Sequence, residues 1–148
     1  EGMFTRAITP VFPGVVSDRT RPTRITAFDG GLLYAADEWL ERASPEPLYF
    51  IRSLNEGVSV VSVFEHRSVR DIVVRDDECY VLVSNRVENG YASEILTTSD
   101  LGLWKRVARF ESKAMAYSLE TVNGRYFVGM ATLRDRNIQE SGNIYELE

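Results

Sequence analysis

Arg24 and Arg70 open two apolar runs of the same grammar, 46 residues apart, with Asp71 and Lys113 as charged neighbours in the repeat. A guanidinium presents a planar fork of donors that suits carboxylates, phosphates and sugar acids. Gathered at one mouth, these residues would bind a small acidic ligand or a glycan. The competing expectation is that the arginines pair with Asp or Glu where neighbouring sheets meet and hold those sheets in register. Trp39 lies in the long polar stretch from Asp37 to Arg42 and has no counterpart in the repeat. An aromatic ring on a loop either meets a ligand or covers a sheet edge.

The remaining reactive side chains point to structure. His66 is the sole histidine, and neither a nucleophile nor an orienting partner for it can be named from the sequence. Cys79, the sole cysteine, begins the apolar run CYVLV, which favours burial over reactivity. Asp76, Asp77 and Glu78 are too few and too closely spaced for a calcium loop and read as a solvated turn. A Gly-rich phosphate loop, a nucleophile elbow and paired metal-binding histidines are all missing from the sequence. No catalytic residue, metal site or cofactor is therefore assigned.

Composition narrows the classes further. The 148 residues carry 17 Lys plus Arg against 22 Asp plus Glu, a formal charge of -5. The bases are interspersed with acids, so neither a nucleic-acid footprint nor an anionic membrane partner is expected. No run approaches the length of a membrane helix and the first residues lack the pattern of a signal peptide. The default expectation is cytoplasmic, although secretion after removal of a leader would leave the same sequence.

What would position the candidates is a repeated sheet unit. The run from Arg24 through Asp29-Gly30-Gly31 to Asp37 matches the run from Arg70 through Asp76-Asp77-Glu78 to Asn85, and a third copy surrounds Asn123-Gly124. Val, Ile, Tyr, Phe and Thr dominate the flanks, so these are β-hairpins. Tyr34, Tyr80 and Tyr126 recur at 46 residues and are expected at one packing position. A second pair of strands repeats from 48 to 65 and from 93 to 111, aligning Ser53 with Ser99, Val58 with Trp104 and Phe64 with Phe110. The expected fold is all-β: three four-stranded antiparallel β-propeller blades over about 23–65, 69–111 and 114–147, with an N-terminal strand over 3–9 completing the last.

The segment Thr98-Ser99-Asp100-Leu101-Gly102-Leu103-Trp104 resembles the Asp-box of sialidase-like and related bacterial propellers. That motif occupies the turn between a blade's third and fourth strands. The resemblance implies that Asp100 accepts hydrogen bonds from the turn backbone, that Gly102 relieves crowding and that the ring of Trp104 packs between blades. It implies a fold and transfers no catalytic residue, because such turns occur in propellers of unrelated activity.

Propellers close with four to eight blades, so three would need company. A homodimer of two chains would make six and present the arginines twice about its axis. Non-catalytic binding or scaffolding by such an oligomer is the leading expectation. The alternatives are a glycoside hydrolase, which would need a carboxylate pair about 5 to 9 Å apart, and a structural fragment of a larger propeller.

Overall fold

Alternating apolar residues between short turns give three antiparallel sheets in a computed structural model, which describes residues 20–38, 45–53, 55–131 and 142–147. The first sheet comprises β1 (Thr20–Phe28), β2 (Gly31–Glu38), β3 (Leu48–Ile51) and β4 (Ser59–Val60). The second comprises β5 (Val69–Arg75), β6 (Glu78–Val87), β7 (Gly90–Thr98) and β8 (Lys105–Ser112). The third has three strands, β9 (Met115–Val122), β10 (Arg125–Ala131) and β11 (Ile144–Leu147). Strands neighbour one another in chain order. A single 3-10 turn over Ser62–Phe64 is the only helical piece among the described residues. The expected N-terminal strand over 3–9 lies outside them, as does Trp39.

Each sheet begins with the same tight hairpin. Its two turn residues both have positive φ: Asp29 and Gly30, Asp76 and Asp77, Asn123 and Gly124. This is the turn whose twist matches that of paired strands, and Asn, Asp and Gly reach it at least cost. Each first strand also carries a bulge, between Pro22 and Arg24 in β1, Val69 and Asp71 in β5, and Ala116 and Ser118 in β9. The bulged residues are therefore Thr23, Arg70 and Tyr117.

These landmarks correct the expected alignment. Turn and bulge superpose the hairpins at 47 residues, not 46, so Arg24 corresponds to Asp71 and Ser118, while Arg70 corresponds to Thr23 and Tyr117. Only the fourth strands keep the shorter spacing: Val60 pairs with Tyr49 as Arg106, 46 residues on, pairs with Leu96, 47 residues on. A slip of one residue reverses the face of a side chain. Tyr34, Tyr80 and Tyr126 accordingly do not share a position. Tyr34 stacks on Tyr49 in a separate buried cluster on the face of the first sheet turned away from the second, whereas Tyr80 and Tyr126 meet between the second and third, ring centroids 5.8 Å apart.

The sheets pack face to face around two seams. Leu33, Ala35 and Leu48 of the first sheet meet Ile72, Cys79, Val81 and Val83 of the second, and Phe64 closes that seam from the link between them. The opposite face of the second sheet puts Val73, Leu82 and Ile95 against Leu119, Val128 and Met130 of the third. Because both its faces are covered, β6 reads as a nearly continuous apolar run instead of an alternating one.

Candidate functional site

The bulges bring the candidates to the first strands of the three sheets. Asp71, immediately after the β5 bulge, accepts a hydrogen bond from Arg24 Nε at 2.9 Å through Oδ1. The same oxygen accepts from the backbone N–H of Ile72 at 2.9 Å, and Oδ2 accepts from the N–H of Leu119 at 2.9 Å. One carboxylate therefore ties β1, β5 and β9 together. Its side chain is only 13% exposed, so a charge-assisted bond to each neighbour compensates its removal from water.

Arg24 is held on three sides. Besides Asp71, its Nη1 donates to the carbonyl of Thr23 at 2.9 Å, and its guanidinium carbon lies 5.6 Å from the ring centre of Tyr117. The Arg24 side chain is 35% exposed and Tyr117 is 40% exposed. An oriented cation beside a partly open aromatic ring is a place where a ligand can both stack and accept hydrogen bonds.

The other expected members go elsewhere. Arg70 donates through Nη1 to Glu46 at 2.8 Å and through Nε to the Ser84 carbonyl at 3.4 Å, which fastens the segment before β3 to the start of the second sheet. The N–H of Val69 reinforces that attachment with a 2.7 Å bond to the Glu46 carbonyl. Lys113 sits exposed in the link from β8 to β9. Of the expected set, then, the structure joins Arg24 to Asp71. Tyr117 and the Leu119 amide complete the junction and were missed by sequence reasoning. The signal for Tyr117 was the 47-residue spacing that puts it at the bulge; a backbone amide such as that of Leu119 leaves none.

Two further features bear on function. An open groove of about 570 Å³ runs along the first hairpin turn, lined by Phe28, Asp29, Leu32, Ile51 and Arg52 among others. Arg52 donates to Asp29 across it at 2.9 Å. The second is the turn from β7 to β8. Thr98 Oγ1 accepts from the N–H groups of Asp100 and Leu101, and Asp100 Oδ1 accepts from those of Gly102 at 2.8 Å and Leu103 at 3.1 Å. These backbone bonds hold the Asp100 carboxyl below the usual carboxylate range, those from Leu103 and Gly102 contributing most. Trp104 donates from Nε1 to the Leu101 carbonyl at 3.1 Å and sets its ring edge-on to Phe64, centroids 4.7 Å apart.

His66 is exposed, and Cys79 is fully buried with its thiol pushed up to about 12 by that burial. Among the described residues no group of three or more His, Cys, Asp or Glu side chains could hold a metal ion. No described helix is long and apolar enough to cross a membrane. Compared with known proteins, the chain is matched by no family model, no curated protein and no solved structure.

Proposed function

We propose that the three sheets are consecutive blades of a β-propeller and that the chain is a non-catalytic recognition module, binding a carbohydrate where Arg24 meets Tyr117. Three features support the blade reading. Strands follow chain order within each sheet, successive sheets pack face to face, and β5 lies against both β1 and β9. The backbone bonds that Asp100 accepts and the packing of Trp104 on Phe64 are also what the Asp-box resemblance implies for a turn between third and fourth strands.

The observation that carries the ligand reading is the partly open Arg24–Tyr117 pair. Asp71 offsets the charge of Arg24, so the pair has little net pull on a strong anion. It retains a fixed donor next to a flat apolar ring, which suits the hydroxyl edge and C–H face of a sugar. A neutral or weakly acidic glycan is therefore favoured over a phosphate.

Titrating the chain with neutral hexoses and uronic acids, observed by amide chemical-shift changes, tests this reading. Shifts should concentrate at Thr23, Arg24, Tyr117 and Ser118, and Tyr117→Ala should weaken binding about tenfold, on the scale of one lost hot-spot contact. Saturable binding that Tyr117→Ala leaves unchanged would place the ligand elsewhere; no saturable binding to any sugar in the panel would remove the carbohydrate assignment.

A further inference from the structure

A bulge in β8 gathers charge where the repeat has none. Val107 is its unpaired residue, between Arg106, opposite Leu96, and Ala108, opposite Ile95. Because of it, Arg106 and Arg109 emerge on one face although they are three residues apart, and Arg109 stands directly across from Glu94 on β7. That face is the one turned toward the first sheet, since Glu94 pairs with Val83 of the first seam. Arg67 reaches the same carboxylate from the link that Phe64 anchors in that seam, and its own N–H donates to the Phe64 carbonyl at 3.1 Å.

Glu94 orients two of these cations. Its Oε2 accepts from Arg67 Nη1 at 2.7 Å and its Oε1 from Arg106 Nη1 at 3.1 Å. The carboxylate is 19% exposed, against 34% for Arg67 and 56% for Arg106. Each guanidinium spends one nitrogen on Glu94 and keeps the rest of its fork free of described partners, and the exposed Arg109 has no carboxylate partner among the described residues. Three cations thus share one face with a single largely buried anion. Glu111, beyond Arg109 on the same face, lowers the local excess but leaves it positive in a chain whose formal charge is -5.

The repeat supplies no structural reason for this cluster. Third strands correspond at 47 residues and fourth strands at 46, so the first sheet and the turn after it hold Pro47, Val60 and Val63 in place of Glu94, Arg106 and Arg109. A charged set that breaks the rule its own copy follows, beside a bulge, is where function is expected. Charge on an outer strand also discourages edge-to-edge pairing, but that role needs no carboxylate holding two guanidiniums in place.

The geometry points to a binding site for a phosphate group on Arg67, Arg106 and Arg109. A guanidinium fork matches phosphate oxygens, and a group with three terminal oxygens and two negative charges satisfies donors from three directions, whereas a planar carboxylate satisfies one fork well. The site lies on third and fourth strands and a link, while Arg24, Asp71 and Tyr117 lie on first strands. It is therefore separate from the carbohydrate site and independent of that reading.

Titrating the full chain with inorganic phosphate at slightly alkaline pH and constant ionic strength, observed through the arginine Nε–H signals, tests the assignment. Saturable shifts should appear at Arg67, Arg106 and Arg109. Arg109→Gln should raise the dissociation constant about tenfold or more, the equivalent of one lost charge-assisted hydrogen bond, and should leave Tm unchanged. Arg86→Gln, which removes an exposed arginine from the opposite face of the same sheet, should leave binding unchanged. A hexose 6-phosphate should displace inorganic phosphate, and the parent hexose should not.

The absence of saturable shifts would remove the site. Equal weakening by Arg109→Gln and Arg86→Gln would reduce it to bulk charge, and displacement by the neutral hexose would make it a sugar subsite; either result overturns the assignment. Shifts at Arg24 in place of Arg106 would move phosphate to the junction of the first strands, against both this site and the preference for neutral glycans there.

Discussion

Asp71 accepts the backbone N–H of Leu119 across 48 residues of sequence, at 2.9 Å, while its other oxygen receives Arg24 from 47 residues before it. Removing this side chain strands an amide and a guanidinium together. Asp71→Ala should cost roughly 2–4 kcal/mol, the range for breaking a largely buried, charge-assisted network, and lower Tm by about 5–15 °C. Arg24→Ala should cost less, because the bonds from Ile72 and Leu119 survive. Urea unfolding of both variants measures the order; equal losses would mean that the amide bond contributes nothing.

The second hairpin turn contains a correctable strain. Asp76 and Asp77 both take positive φ, at 51° and 62°, where the first and third hairpins place Gly second. Asp77→Gly should therefore stabilise the fold by about 0.5–1 kcal/mol, the typical relief when an L side chain is removed from left-handed backbone less the entropy glycine adds to the unfolded chain. A thermal melt that moves down instead would show that Asp77 makes a compensating contact.

Acid should act on the turn from β7 to β8. The folded-state pKa of Asp100 is depressed, so its contribution is fully present above the ordinary aspartate value of about 4 and is lost as pH falls through the lower folded value. The stability gap between wild type and Asp100→Asn should be constant near neutrality and should narrow below about pH 4. Parallel stability curves from pH 6 to pH 2 would contradict the bonding described for this turn.

Cys79 lies with no exposure in the first seam. With the thiol pushed up to about 12, almost no thiolate exists at neutral pH and no path leads a reagent to it. A thiol-specific chromogenic reagent should label the native chain over hours and the urea-unfolded chain within seconds. Rapid labelling of native protein would mean that the first two sheets separate readily.

Much of this architecture was legible in the sequence, and the limits of legibility are specific. Asn123-Gly124 and Asp29-Gly30 announce hairpins because few residues reach positive φ cheaply. The matching tyrosines suggested a period one residue short, since a Tyr is conspicuous and a bulge is silent in sequence. That slip paired Arg24 with Arg70 and hid the correspondence of Arg24 with Asp71. Arg70 meets Glu46 through a connection whose path only three-dimensional structure reveals. The Leu119 amide could not have been singled out at all, because every residue except proline carries one.

The double coverage of the second sheet has a consequence for how the three copies can diverge. A substitution in β6 is tested by two neighbours at once, so cysteine, valine and leucine there leave little freedom in volume on either side. The corresponding position on an outer sheet answers to one neighbouring sheet among the described residues. The series Val73 to Glu120 and Ala27 to Thr121 already has polar residues at the far copy. A library randomised one copy at a time should therefore return the narrowest range of tolerated residues from the middle, and the resemblance among copies should decay outward from it.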